Sequence, residues 1–282
     1  MIKILVDASS DYTADEVQQK GLILVPIEIT IGDKVYIEGI NLDRSNFYEI
    51  LKESDDFPKT SQPSPQTFAD IFAQAEENGD ELVCILLSSQ LSGTFQSASL
   101  AKEMVGYDKI YLVDSLSASF CIKVMADYAL SLVEQGFTAP EIAEKIERFK
   151  SHVKCIAGLN TLEFLAKGGR ISKAVAAVGS MANIKPIIKI SETGIVEMAA
   201  KCIGMSRAIV QVVRTLQGME IDDNFPIYPL YSYGTANCET FETKMEDAGF
   251  KMGVRSQIGP TIGTHIGPEA FGVVFVTKGG TD

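Results

Sequence analysis

The chain has 282 residues, a formal net charge of −12, a hydrophobic fraction of 46% and a charged fraction of 22%. These values are typical of a globular protein with a sizeable core and exclude a largely disordered chain. The length predicts one large or two medium domains. Because an acidic chain repels phosphate backbones, the charge also argues against nucleic acid as a partner.

No segment of the sequence predicts secretion, membrane insertion or metal binding. The apolar run at residues 2–6 is too short for a signal peptide, and no stretch of about 18 apolar residues occurs. We therefore expect no stable membrane insertion, while transient contact with a membrane surface stays open. The five widely spaced cysteines favour free thiols in a reducing compartment and predict a cytoplasmic protein. With two histidines and no Cys-x-x-Cys, neither a metal site nor a cofactor is expected.

Short apolar runs alternate with amphipathic segments in the first half. The apolar runs predict strands at 2–6, 22–29, 82–87 and 110–113, and the amphipathic segments predict helices at 45–52, 65–76, 95–104, 118–135 and 139–150. Such alternation is typical of a parallel sheet that helices cover on both faces.

The second half has a different pattern. It predicts strands at 184–190, 194–200, 227–231, 252–258 and 271–277, helices at 205–216 and 239–248, and a glycine-rich turn at 259–267. This pattern favours a mixed or antiparallel sheet with helices on one face. We therefore predict an α/β protein of two domains, a parallel-sheet domain at 1–155 and a second α/β domain at 156–282.

Hydroxyl and carboxyl side chains follow three of the predicted strands. They lie in the segments 7–11, 88–94 and 114–117, and ligands of open parallel sheets bind beyond the carboxyl ends of the strands. Helix capping is the better explanation for Asp11 and Ser117. The segment 88–94 instead carries four hydroxyls and Gly93, more than one cap needs, so we interpret it as part of a binding site with Ser92 and Thr94 as its main candidates.

Thr60, Ser61 and His265 are further candidates. Thr60 and Ser61 precede the helix start that Ser64 and Pro65 predict, so helix capping does not explain them. His265 lies within the predicted glycine-rich turn, where a binding role and a structural role are about equally well supported.

Two basic residues are candidate contacts for a phosphate, a carboxylate or a partner. Gly168 and Gly169 act as helix stop signals and leave Arg170 free to bind an anion, with a new helix expected after Ser172. Lys185 is at the start of a predicted strand, where a solvated strand end explains it almost equally well.

The usual motifs of nucleotide binding and ester hydrolysis are absent from the sequence. Neither Gly-x-Gly-x-x-Gly nor a Walker A motif occurs, and Ser92 lacks the preceding glycine of Gly-x-Ser-x-Gly. A serine hydrolase acting on acyl esters through Ser92 and His265 is an alternative, although no third member of a triad is evident. Binding of another small anion, such as a phosphate ester, is a third interpretation.

Five segments in chain order resemble the DegV family of bacterial fatty-acid-binding proteins, and the resemblance covers almost the whole chain. The segments are Thr60-Ser61-Gln62-Pro63-Ser64, Leu91-Ser92-Gly93-Thr94, Leu165-Ala166-Lys167-Gly168-Gly169-Arg170-Ile171-Ser172, Ile184-Lys185-Pro186-Ile187 and Gly263-Thr264-His265-Ile266-Gly267-Pro268. Each segment is weakly specific alone, but the five in this order are highly specific.

The resemblance implies a two-domain protein that is not an enzyme and that buries one long-chain fatty acid, such as palmitate, stearate or oleate, between its domains. It implies that the carboxylate is bound by Thr60, Ser61, Ser92, Gly93, Thr94 and His265. Family members that work with a fatty acid kinase present the acid for conversion to an acyl phosphate, which serves phospholipid synthesis. Arg170 matches an arginine of the kinase encounter, so such a kinase is an expected partner.

A buried fatty acid requires an apolar tunnel, since each buried CH₂ contributes roughly 0.8 kcal/mol. Its carboxylate requires hydrogen bonds that replace lost water. The candidate wall residues are Phe164, Leu165, Ile187, Ile188, Ile262, Ile266 and Phe271. Core packing explains most of them equally well.

Overall fold

The computed structural model describes residues 1–172 and 183–281. Its first half contains, in chain order, β1 (Ile2–Asp7), α1 (Ala14–Lys20), β2 (Ile23–Val25), β3 (Glu28–Ile31), β4 (Lys34–Ile37), α2 (Arg44–Glu53), β5 (Lys59–Ser61), α3 (Pro65–Asn78), β6 (Glu81–Leu86), α4 (Thr94–Val105), β7 (Ile110–Asp114), α5 (Phe120–Glu134) and α6 (Ala139–Phe149). Apart from the segment 22–29, the predicted strands and helices of this half lie within a few residues of these bounds.

Four of these strands form a parallel sheet in the order β2-β1-β6-β7. Alternate residues of β6 pack on opposite sides, because side chains of a strand point alternately to its two faces. Cys84 packs with α3 and α4, whereas Ile85 packs with α5 and α6. The predicted parallel sheet with helices on both faces is therefore confirmed.

The prediction of one strand at 22–29 was wrong. The chain leaves the parallel sheet after Val25, at Pro26, whose ring nitrogen cannot donate a ladder hydrogen bond. It then enters a separate antiparallel sheet with the order β4-β3-β5. In this sheet Thr60 pairs with Ile29, so the segment before α3, for which the sequence predicts no strand, is an edge strand.

The second half contains β8 (Val153–Gly158), α7 (Glu163–Lys167), β9 (Ile184–Ile190), β10 (Val196–Ile203), α8 (Met205–Gln217), β11 (Tyr228–Tyr231), α9 (Ala236–Asp247), β12 (Ser256–Gln257), α10 (Pro260–Ile266) and β13 (Phe271–Val276). Its strands form one sheet in the order β10-β9-β8-β13-β11-β12. β11 and β12 pair in parallel and the other neighbours pair antiparallel, which confirms a mixed sheet. α8 and α9 pack against one face of it.

Two predictions for the C-terminal part were wrong. The strand expected at 252–258 is reduced to Ser256–Gln257. The glycine-rich turn expected at 259–267 is the helix α10, which Pro260 begins at the first helical position and Gly267 ends with a positive φ. Only glycine fits at position 263 within this helix, because Tyr48 and Phe47 pack so closely that an added Cβ would lie 2.6 Å from the Tyr48 hydroxyl. The helix expected after Ser172 lies outside the described residues.

The second face of the six-stranded sheet packs against the N-terminal half. One buried cluster contains Ile85 and Met125 together with Ile188 and Val274, so the two halves share it.

The predicted division between residues 155 and 156 falls inside β8, which pairs wholly within the six-stranded sheet. We therefore propose that the two domains divide in the turn before Val153. Within 1–172 and 183–281, no helix combines the length and apolar character needed to span a bilayer.

Candidate functional site

A cavity lies between the two halves of the protein. Its floor is one face of the six-stranded sheet, formed by side chains and backbone of β8, β9 and β13 that include Ala157, Ile188 and Gly272. Its opposite side includes Leu87 and Ala118, which follow the parallel strands. The space between the lining atoms, counted together with its opening to solvent, measures about 960 Å³.

Four of the seven predicted wall residues line this cavity. These are Leu165, Ile188, Ile262 and Ile266. Ile187 and Phe271 pack instead in the cluster with α8 and α9, because they occupy the alternate positions of their strands. Phe164 packs against Phe57 with ring centroids 5.0 Å apart. The walls are predominantly apolar, which suits a hydrocarbon chain.

One part of the cavity is polar, and its centre is the contact between Thr60 and His265. The edge strand β5 supplies Thr60 and the last turn of α10 supplies His265, and Thr60 Oγ1 lies 2.9 Å from His265 Nε2. Burial, together with the nearby charge of Arg170, lowers the pKa of His265 to about 4. The imidazole is therefore neutral at physiological pH and available for a hydrogen bond at Nε2.

Ser92 lines the same part of the cavity. Its Oγ lies 2.9 Å from Thr94 Oγ1 and accepts a 3.3 Å hydrogen bond from the Thr94 backbone N–H. Thr94 is fully buried at the start of α4, and within the described residues neither Thr94 nor Gly93 lines the cavity. The Gln62 amide lies against the Cα of Gly93, where a side chain would overlap it. Gly93 and Thr94 therefore support Ser92 from behind.

Arg170 and Ser61 also line the cavity, whereas Lys185 does not within the described residues. Arg170 Nε donates to the Leu91 carbonyl at 3.0 Å, and Nη1 donates to the Gly168 carbonyl. The guanidinium thus joins the loop after α7 to the loop after β6. Lys185 Nζ donates to the Asn160 side chain and, at 3.3 Å, to its carbonyl. Its contacts are those of a structural residue in β9.

The loops after β1, β6 and β7 meet at one edge of the parallel sheet, as the sequence predicts. Asp7 accepts the Leu87 N–H at 2.7 Å, and the Ser88 N–H donates to the Ser117 carbonyl at 2.9 Å. The prediction that Asp11 caps the helix that follows it was wrong, because Thr13 caps α1. The fully buried Asp11 carboxylate instead accepts the Gly259 N–H at 2.8 Å. The sequence gives no signal of that partner, which lies 248 residues away.

Sequence reasoning missed four polar residues that line the cavity, namely Gln62, Ser119, Lys189 and Thr261. Ser119 precedes α5 with a φ of 60°, a conformation that costs a non-glycine residue energy and is concentrated at functional sites. Ser119 lies in a stretch rich in serine and alanine, where a serine before a helix resembles an ordinary N-cap. No sequence pattern therefore separates Ser119 from its neighbours. Gln62 lies within the Thr-Ser-Gln-Pro segment and could have been inferred from it.

A serine hydrolase requires a histidine that accepts the serine proton. Here His265 Nε2 contacts Thr60, and Ser92 contacts Thr94. His265 Nδ1 is buried and has no hydrogen-bond partner among the described residues, so no carboxylate orients the ring there. Among the described residues, His265 therefore contacts neither Ser92 nor an orienting carboxylate in the way that a catalytic triad requires.

The description "Uncharacterised protein, DegV family" belongs to a family model that matches residues 1–278. The chain belongs to the DegV family. It is 30% identical to a DegV domain-containing protein of Caldanaerobacter subterraneus, covering 98% of this chain and 99% of that protein.

Solved DegV structures share the fold over almost the full length. A Thermus thermophilus DegV protein described by its fatty acid binding is 28% identical, with a TM-score of 0.87, and the match covers 98% of this chain and 99% of that one. DegV of Bacillus subtilis, described as a fatty acid binding protein, is 26% identical with a TM-score of 0.84 and the same coverage of both chains. The two-domain α/β fold of these relatives is therefore that of this chain.

Proposed function

We propose that this DegV protein binds one long-chain fatty acid, such as palmitate, stearate or oleate, in the cavity between its two halves. The observation that carries the proposal is the combination of predominantly apolar walls with polar lining residues that include Thr60, Ser92 and His265. The two fatty-acid-binding relatives support the ligand class. An alkyl chain fits the apolar walls, and a carboxylate fits the hydroxyls.

The carboxylate would be bound by hydroxyl groups that are themselves held in place. We propose that His265 orients the Thr60 hydroxyl and that Thr94 orients the Ser92 hydroxyl. The hydroxyls of Thr60 and Ser92 would then both donate to the carboxylate. Ser61, which also lines the cavity, would complete this shell, while Gly93 lies behind Ser92. Hydrogen bonds to a charged group contribute about 1.5–3 kcal/mol each, and the Arg170 guanidinium at the same part of the cavity offsets the negative charge.

We further propose that the protein is a carrier in the cytoplasm, that it presents the acid to a fatty acid kinase, and that it makes transient contact with membranes during exchange. The family resemblance supports these roles. So do the hydrogen bonds of Arg170, which join the loop after α7 to the loop after β6 beside Ser92. In this scheme the kinase performs the chemistry, and this chain holds the acid and releases the acyl phosphate.

Native mass spectrometry of gently purified protein tests the proposal directly. The spectrum should show the chain plus the mass of one fatty acid, and lipid extraction should identify that acid. Delipidated protein should take up one equivalent of oleate or palmitate. Protein that carries no acid and takes up neither one would refute the proposal, and recovery of a phosphate ester instead would favour the small-anion alternative.

Replacement of Gly168 by alanine is expected to weaken oleate binding about tenfold. The backbone at Gly168 suits any residue, but an added Cβ would overlap His265 Nδ1. The imidazole must then move away from Thr60, and the head group loses one oriented donor. Titration calorimetry with oleate measures the change. Gly218→Ala is the matched control, since a Cβ at that helix end meets nothing closer than 3.6 Å, and it should leave the affinity unchanged.

A further inference from the structure

The helix that carries His265 is held at its first turn by two carboxylates from distant parts of the chain. Asp11 Oδ1 accepts the Gly259 N–H at 2.8 Å, and Glu38 Oε2 accepts the Thr261 N–H at 2.9 Å. The Thr261 hydroxyl also donates to Glu38. Gly259 itself provides no side-chain cap, so Asp11 and Glu38 replace the local capping residues that helices normally use.

The two carboxylates lie next to each other. Both face Gly259, where an added Cβ would be 2.5 Å from Glu38 Oε1 and 2.8 Å from Asp11 Oδ1. Asp11 is fully buried and Glu38 is 8% exposed. Two adjacent buried carboxylates do not both ionise readily, because each charge raises the cost of the other.

The surroundings of the pair supply limited positive charge. On α2, Arg44 donates to the Asp11 carbonyl, and Lys123 on α5 contributes a more distant charge while pairing with Glu16. Burial raises the pKa of Glu38 to about 8, with the Asp11 charge adding to this and the Thr261 and Arg44 contacts opposing it. Burial also raises the pKa of Asp11 despite Arg44 and Ser119.

The remaining contacts connect this pair to the cavity and to solvent. The Tyr48 hydroxyl donates to the Ile258 carbonyl at 3.0 Å, which fixes the chain just before the pair, and burial raises its pKa well above 10. Ser119 donates to Asp11 and also lines the cavity. Glu38 lines a hollow on the outer surface, so protons from solution can reach it without passing through the ligand cavity.

We propose that Asp11 and Glu38 hold one proton between them at neutral pH and that this proton keeps α10 in the position from which His265 and Thr261 serve the fatty-acid site. Both residues are positioning residues, because they act through the helix and do not line the cavity. Loss of the proton leaves two adjacent negative charges at the helix start, which repel each other and displace it. This inference rests on the fatty-acid binding proposed above.

The direction of the pH effect follows from the raised pKa of Glu38. Its stabilising contribution is fully present below the ordinary glutamate value and is lost as pH rises through about 8. His265 stays neutral throughout this range because its pKa is lowered to about 4. Cys155 lines the cavity and its pKa is lowered through its contact with Cys121, so it requires a control of its own.

Calorimetric titration of delipidated protein with oleate at pH 6.5, 7.5, 8.5 and 9.5 tests the inference, with thermal unfolding measured at each pH. The wild-type affinity should fall by about fivefold or more from the lowest to the highest pH. Glu38→Gln keeps an acceptor for Thr261 but cannot ionise, so it should retain the affinity seen at pH 6.5 and flatten the profile. The exposed Glu53→Gln and the cavity variant Cys155→Ala should both retain the wild-type slope.

The possible results distinguish the positioning role of Asp11 and Glu38 from fatty-acid binding itself. Oleate binding with the same pH slope in wild type and Glu38→Gln would overturn the positioning role while leaving fatty-acid binding intact. A slope that disappears in Cys155→Ala would also overturn it. Absence of oleate binding at every pH would overturn both proposals. Glu38→Ala, which removes the acceptor altogether, should bind more weakly than Glu38→Gln at pH 6.5 even where both remain folded.

Discussion

The double variant Thr60→Ala, Ser92→Ala is expected to bind oleate at least about 100-fold more weakly than the wild type. Each hydroxyl that donates to a buried carboxylate contributes about 1.5–3 kcal/mol, and every 1.4 kcal/mol changes an affinity about tenfold. The two residues come from different elements, the edge strand β5 and the loop after β6. Their combined loss leaves the carboxylate buried with few hydrogen bonds.

The double variant should remain folded, which thermal unfolding can check. Thr60 and Ser92 are both only partly buried. The backbone pairing of β5 with β3 does not depend on the Thr60 side chain. Ser89→Ala with Thr243→Ala is a matched control, because both hydroxyls are exposed and lie outside the cavity. Calorimetry that finds equal affinities for the double variant and this control would remove Thr60 and Ser92 from the site.

The fold could be predicted largely from the sequence because its strands are continuous apolar runs and its helices have clear boundaries. The capping box of Thr138 with Glu141 and the N-cap Ser64 before Pro65 both mark helix starts that the structure contains. The failures occurred where local patterns conflict. Pro26 divides an apolar run between two sheets, and the many glycines around α10 conceal a helix that distant residues support.

Sequence patterns identified several residues that line the cavity, but they missed residues that act across the fold. Thr60 and His265 are 205 residues apart, yet each belongs to a distinctive motif. Glu38 belongs to none, and its contact with Thr261 spans 223 residues. Hydrogen bonds between distant parts of the chain leave no periodic signal in the sequence, so only the folded structure brings Glu38 to the helix that it caps.

Replacement of Gly272 by leucine is expected to weaken palmitate binding about 100-fold. Gly272 lies in β13 between Ala157 and Leu230 and lines the apolar cavity. A Cβ there would meet the Ala157 Cβ at 3.4 Å, which is ordinary contact. The rest of the leucine side chain would extend into the space that the alkyl chain occupies. Excluding about four CH₂ groups removes roughly 3 kcal/mol of binding free energy.

Calorimetry with fatty acids of different length shows whether the loss comes from the alkyl chain or from the head group. Octanoate is short enough to bind without entering the part of the cavity that leucine would block. Gly272→Leu should therefore weaken octanoate binding much less than palmitate binding. Val276→Leu lies on the same face of β13 but does not line the cavity, and it should bind both acids as the wild type does. Equal losses for octanoate and palmitate in Gly272→Leu would instead indicate that the strand itself is distorted. Unchanged palmitate binding would show that the acyl chain does not cross β13 at Gly272, because a strand position filled by leucine leaves no room for it there.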